Sequence, residues 1–265
     1  MKKKKSKNLI LGAVITAVML FMVLLGAIWT PYDPEAMDSA NKLAGVSFSH
    51  IMGCDNFGRD IFSRVLKGSG TTLTVALGTV SIGTVFGILL GAVCGYYGGL
   101  LDEIIMRVVD AVFAFPNILL ALVFISLLGP GKNNVIIALG IAFIPSFARI
   151  VRSEFIRCRN MDYVKSAKLA GAGDLRIMFV HILPNTVPVL LSSVMIGFNN
   201  AVLSEAGMSY LGIGVQPPEP SLGYMLSEAQ TYLFSSPGYA IFPGLVIILM
   251  VLGFSLLAEG LKEIK

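Results

Sequence analysis

The sequence predicts an all-α, polytopic membrane protein with six spanning helices, and three observations carry that prediction. Of 265 residues, 55% are hydrophobic and only 14% charged, against about 25% charged in soluble domains, and the mean hydropathy is +0.79. Six segments, approximately 9–29, 72–97, 112–128, 135–147, 187–203 and 241–257, are apolar enough to cross a bilayer, which takes about 20 helical residues, or fewer where the ends are buried in protein. The basic residues are also placed unevenly. With the N-terminus inside, fifteen of the 20 Lys and Arg fall on the cytoplasmic side, and only Lys42, Arg59, Arg64, Lys67 and Lys132 fall outside. The positive-inside rule then makes both termini cytoplasmic.

Residues 1–8 form a basic cytoplasmic N-terminus, and 9–265 read as a single transmembrane domain. The first apolar run exceeds the roughly 7–15 residues of a signal-peptide core and no A-x-A-like site follows, so it is expected to remain as an anchor. A Pro- and Gly-rich outer loop, about 30–71, contains Asp55, Arg59, Asp60 and Arg64, whose alternating signs suit ion-paired caps on a short helix leading into the membrane. In the second span Gly83, Gly87, Gly91 and Gly95 recur every fourth residue. Overlapping G-x-x-x-G steps let another helix approach closely, and in lipid close packing is what drives association. Before the third span, Arg107 and Asp110 have the spacing of an i,i+3 ion pair. The fourth span is short and crossed by Pro145, which a membrane helix tolerates when neighbours satisfy the freed carbonyl.

Between the fourth and fifth spans lies a polar loop, approximately 152–185, whose stretch from Asp162 to Asn185 reads DYVKSAKLAGAGDLRIMFVHILPN. Asp162 is expected to N-cap a helix over 163–170 and Gly171 to end it in the left-handed conformation, with Gly173-Asp174 serving as a turn and second N-cap. Leu175, Met178, Phe179 and Ile182 then form an apolar stripe opposite Arg176 and His181, until Pro184 stops the helix. Two short helices so arranged make an elbow with one face free for a partner. In the fifth span Asn199, Asn200 and Glu205 lie toward the outer half, and polar groups at such depth normally face protein or a water-filled path. The second outer loop, about 204–240, carries Gln216-Pro217-Pro218-Glu219-Pro220, a rigid extended scaffold.

Several functions are excluded by what these residues do not spell. No G-x-x-x-x-G-K-[ST] occurs, so the chain cannot hydrolyse ATP through a P-loop, and there is no H-E-x-x-H or G-x-S-x-G. Cys54, Cys94 and Cys158 fall in three different environments, and His50 and His181 on opposite sides, so neither a disulfide nor a metal site follows. The longest stretch outside the spans, about forty residues, lacks the strand–helix alternation of a soluble catalytic domain. No basic face with interleaved aromatics suits a nucleic acid. The expectation is a non-enzyme with no cofactor, immersed in lipid.

The polar loop resembles the EAA loop of ABC-importer permeases, in which E-A-A is followed after three residues by Gly and then by I-x-L-P or a variant. Ala167, Gly171 and Ile182-Leu183-Pro184 match; Lys165 stands where the motif has Glu, and Ser166 where it has its first Ala. The block GCDNFGRDIFSR ending at Arg64 is similar to the G-T-D-x-x-G-R-D-x-x-S-R block of dipeptide, oligopeptide and nickel permeases, with Cys54 for Thr. The block SYLGIGVQPPEPS starting at Ser209 resembles their S-F-L-G-L-G-V-Q-P-P-x-P-S, and the likeness runs from about residue 9 onward. It implies a type I ABC importer permease fold in the bacterial inner membrane, the second of two homologous permeases. It also implies two cytoplasmic ATPase subunits and an extracytoplasmic substrate-binding protein as partners. Di- or oligopeptides are the implied cargo, with nickel or a metal chelate as the alternative. A remoter alternative, a stand-alone secondary transporter or channel, would call for a proton relay or inverted broken helices. Lys165, Ala167, Gly171, Asp174, Leu175, Met178 and Phe179 become the residues expected to couple to the ATPase, and Asn199, Asn200 and Glu205 those of a translocation path.

Overall fold

A computed structural model describes residues 7–262. The lysines at 2–5 and Lys265, counted above in the charge asymmetry, lie outside the described residues. In chain order the helices are α1 (Lys7–Ile28), α2 (Ile61–Tyr97), α3 (Gly99–Phe113), α4 (Asn117–Leu128), α5 (Lys132–Arg159), α6 (Asp162–Leu169) and α7 (Asp174–Arg176). A π-helical turn, Ile177–Ile182, joins α7 to α8 (Leu183–Tyr210), and α9 (Leu222–Ala229) and α10 (Gly238–Lys262) complete the chain. Among the described residues there is no β-strand. Five helices are long and apolar enough to cross a membrane, or six if α3 and α4, bent by 89° at their junction, count as one span.

The spans differ from the sequence expectation chiefly in length. The second begins at Ile61 rather than about 72, because Asp60 caps it: its side chain accepts from the Ser63 N–H. The expected straight third span is instead α4 preceded by α3. Pro116 separates them, since a proline lacks the N–H a helix needs and pushes the residue before it away from helical torsions. The fourth runs 28 residues, so residues 152–159 belong to α5 and not to the polar loop. Arg107 does not pair with Asp110; it bonds Glu103 at 2.7 Å, while Asp110 bonds Arg149 of α5 at 2.6 Å.

The core is built where α2 lies along α5, through the glycine seam. A Cβ at Gly91 would sit 2.5 Å from the Ala148 carbonyl oxygen and 2.7 Å from Val151 Cβ, and one at Gly95 would sit 2.6 Å from the Arg152 carbonyl oxygen. Phe143, Phe147 and Phe155 of α5 fill the spaces beside this seam and are almost wholly buried. α1 lies along α10 in the same manner, with Gly12 against the backbone of Leu256 and Leu257 and Gly260 against Leu9. Side chains facing away from these seams, such as Phe21, Leu24, Val123 and Leu127, are exposed and apolar, as a lipid-facing surface requires.

At the end of the bundle that carries α9, here the cap end, the four charges that alternate along the sequence are all buried, and Asp55, Arg59 and Arg64 join Glu228 in one network. Arg59 Nε donates to Asp55 at 2.6 Å, and Arg59 and Arg64 each donate to one oxygen of Glu228 on α9, at 2.7 and 2.8 Å. Asp60 also accepts from His50 Nδ1 at 2.9 Å. Burial acts to lower the Arg59 pKa, but its bonds to Glu228 and Asp55 win and hold it above the usual value. Within this cap the Cys54 thiol is pushed up to about 11, first by burial and then by Asp60, Asp55 and Asp38. A raised thiol pKa leaves little thiolate, the reactive form, near neutral pH. Maleimide is therefore expected to label Cys54 in the native protein only slowly until the pH approaches about 11; rapid labelling at neutral pH would mean that the cap is open.

Candidate functional site

The elbow forms at the opposite end of the bundle. α6 starts not at an Asp162 N-cap but after Met161, whose side chain makes no cap bond, so Asp162 occupies the first turn instead. There its charge favours the positive end of the helix dipole. Gly171 takes φ +79°, and its N–H donates to the Lys168 carbonyl at 3.0 Å, closing the helix in the left-handed turn the sequence suggests. Gly173, rather than Asp174, is the cap of the second helix. That leaves the Asp174 side chain free to accept from the Tyr96 hydroxyl, at 2.6 Å, tying the elbow to the end of α2. Lys168 lies over the same Tyr96 ring, 5.2 Å from its centre.

Beneath the elbow, Val164, Ile177, Met178 and Ile182 are buried with Val151, Phe155 and Cys158 of α5, and Tyr163, Ala167 and Phe179 pack around them. Burial and the neighbouring Cys158 push the Tyr163 phenol up to about 12. Two expectations fail here. Leu175 does not join the apolar stripe: it is 70% exposed, and Leu169 is 90% exposed. Nor does Pro184 stop the second helix, which runs on through α8 as one 37-residue helical stretch from Asp174 to Tyr210. A proline inside an α-helix clashes with the carbonyl four residues back. The π-helical turn just before it widens the helix and relieves that clash.

The elbow thus sorts the seven candidate coupling residues by depth. Lys165, Gly171, Asp174 and Leu175 are exposed, Ala167 and Phe179 are half-buried, and Met178 is buried. Lys165 is engaged with Asp162 at 3.0 Å, an exposed i,i+3 pair worth well under about 1 kcal/mol and easily given up to a partner.

The three polar residues of the fifth span separate in space. Glu205 is fully buried, accepting from Thr72 of α2 at 2.9 Å and Ser209 at 2.7 Å; it ties α8 to α2. Asn199 is nine-tenths buried and its Oδ1 has no partner. Asn200 is exposed and lines a cavity of about 320 Å³ with Asn117, Phe143, Leu203 and Ser204, beside the α3–α4 break at Pro116. Sequence reasoning missed Asn117 and Glu228. Asn117 follows a proline, a sign of a helix start inside an apolar run; for Glu228 no signal links it to residues more than 160 positions away.

Taken together, the long apolar helices, their glycine seams and the exposed elbow define a polytopic α-helical membrane protein. Residues 87–264 match the model of the family described as binding-protein-dependent transport system inner membrane component. The chain belongs to that family, whose members are transport permeases and not enzymes in themselves. It is 38% identical to the dipeptide transport system permease protein DppC of Alkalihalophilus pseudofirmus over 98% of this chain and 86% of the relative. It is 42% identical to the glutathione transport system permease protein GsiD of Pectobacterium atrosepticum over 94% of this chain and 85% of the relative. Among solved structures, the MetNI methionine ABC transporter in an inward-facing conformation shares the fold, with a TM-score of 0.61 at 19% identity over 76% of this chain and 96% of that one.

Proposed function

We propose that the chain is one of two permeases in an ATP-driven importer, carrying di- or oligopeptides handed over by an extracytoplasmic binding protein. The observation that carries this reading is the elbow: α6 and α7 sit on a buried underside and leave Leu169 and Leu175 exposed on either side of Gly171. An apolar pair so presented at the end of a membrane bundle suits a pocket on a soluble partner. The names of the relatives support the cargo, since dipeptides and glutathione are both short peptides. The elbow end is read as cytoplasmic with both termini. It carries Arg149, Arg152, Arg157, Arg159, Lys165, Lys168 and Arg176, against Lys42, Arg59, Arg64, Lys67 and Lys132 at the cap end, and it is the count of Lys and Arg that sets the orientation.

In this reading two ATPase subunits close on ATP binding and push on the two elbows of the paired permeases. Because α7 runs without a stop into α8, a push on Leu175 is transmitted along one continuous helical stretch into the spanning bundle. The bond from the Tyr96 hydroxyl to Asp174 carries it to α2 as well. The bundle rocks to open outward, and hydrolysis resets it inward.

Gly171→Pro is expected to abolish uptake while membrane insertion continues, since proline cannot take φ +79° and has no N–H for the Lys168 carbonyl. A second variant leaves the backbone alone: Leu169→Asp with Leu175→Asp is expected to lower uptake and ATPase co-purification by at least about tenfold, as loss of a hot-spot contact does. Normal uptake and co-purification in both variants would overturn the reading.

A further inference from the structure

The cavity beside the α3–α4 break lies at a depth where amide side chains are out of place. Counted at about 1.5 Å per residue, Asn117 is about 17 Å from the cap-end terminus of α4, Phe143 about 17 Å from that of α5, and Asn200 about 15 Å from that of α8. On three helices the cavity thus lies about 15–17 Å from the cap-end termini, half the ~30 Å thickness of a hydrocarbon core. Lipid tails offer an amide no hydrogen-bond partner, and non-helical backbone at such depth is tolerated only against protein or a water-filled space. Here both occur together: exposed Asn200 and half-buried Asn117, and the irregular turn that ends in Pro116.

From this geometry we propose that the cavity is the point at which cargo is held in mid-membrane, Asn117, Asn200 and Ser204 exchanging hydrogen bonds with its peptide linkages while Phe143 supplies an apolar floor. The proposal rests on the peptide reading above and adds the residues and the chemistry. An asparagine side chain offers the same donor and acceptor as a peptide group, so two of them on different helices can pair an extended backbone whatever its side chains. The cavity volume, about 320 Å³, falls within the roughly 300–1,000 Å³ of small-ligand sites, and a mixed apolar wall with a few polar groups is their usual lining. Because α8 is one continuous rod from the elbow, the Asn200 face moves when the elbow does.

The test uses the assembled transporter in proteoliposomes. Asn200→Cys and Asn117→Cys are treated with a charged, water-borne methanethiosulfonate, alongside Leu127→Cys, a position 78% exposed on the outer face of α4. The native Cys54, Cys94 and Cys158 are buried and give a low background. Positions 200 and 117 are expected to react and to be protected by excess dipeptide, and position 127 to stay unmodified, because thiolate forms only in water. If position 200 is as inert as 127, the face is dry against the second permease or lipid, and the proposal falls. Asn200→Ala with Asn117→Ala is expected to cut dipeptide uptake about tenfold at unchanged assembly, and Asn200→Gln to restore part of it. Unimpaired uptake in the double variant would likewise overturn the assignment. Reaction at 200 in a transporter that moves no dipeptide or tripeptide would count against the peptide reading and its amide contacts, a result distinct from an inert position 200.

Discussion

Replacing Glu228 with Ala should cost about 3–5 kcal/mol of stability, the cost of stripping one partner from a buried ion network. Glu228 is 11% exposed and bonds both Arg59, 6% exposed, and Arg64, 1% exposed; without it two guanidinium groups share the single carboxylate of Asp55. Arg64 has a further buried nitrogen, Nε, with no hydrogen-bond partner, so no slack exists to absorb the loss. The network also joins the 38–60 loop, α2, α9 and, through the Tyr239 hydroxyl, α10, so the expected consequence is loosening of the whole cap end. Thermal unfolding of the purified protein in detergent measures this. The comparison is Glu103→Ala, which removes an ion pair of equal length from an exposed site, 58% and 78% exposed, and should cost less than about 1 kcal/mol. Equal midpoints for the two variants would show that burial of the network is not what gives it value.

Gly91→Leu is expected to separate α2 from α5 and to reduce the yield of folded protein sharply. Overpacking a filled core usually costs about 1–3 kcal/mol, because side chains shift to make room. At Gly91 the nearest atoms are the Ala148 carbonyl oxygen at 2.5 Å, Val151 Cβ at 2.7 Å and the Arg152 amide nitrogen at 2.9 Å, so the obstacle is mostly backbone and the helix itself must move. The effect should lie at or above the upper end of that range. Gly207→Ala on α8 is the matched control, for nothing lies within 4 Å of its Cβ position. There, relief of glycine's conformational entropy should make the variant neutral or more stable by about 0.5–1 kcal/mol. Size-exclusion profiles and unfolding midpoints of the two variants distinguish a packing seam from a helix that merely contains glycines.

The glycine seam and the elbow were both legible because each is written in local spacing. Four glycines every fourth residue must fall on one helix face, and Gly171 followed by Gly173 must break one helix and start another. The places where local reading failed are those where a distant residue or a relaxed backbone altered the outcome. Pro184 should end a helix on its own chemistry; the π-helical turn at Ile177–Ile182 lets it continue. Leu175 fits an apolar stripe by spacing, but the α5 surface beneath covers Met178 and Ile182 and stops short of it. Asn200 and Glu205 look alike in sequence, five residues apart on one helix. α2 claims Glu205 through Thr72, whereas Asn200 is left facing the gap that the α3–α4 bend creates.

The sequence by itself determined that this is an all-α membrane protein with a glycine-packed core and a polar elbow between two spans. Hydropathy over about 20 residues and spacing along one helix are properties of neighbouring positions, and no folding is needed to read them. Only the tertiary structure decided that Glu228 neutralises Arg59 and Arg64, that α7 continues into α8, and that Asn117 and Asn200 line one cavity. The ion network and the cavity join residues from 83 to 169 positions apart, and a hydrogen bond or a cavity wall is specified by where two helices cross in space, which no local periodicity encodes.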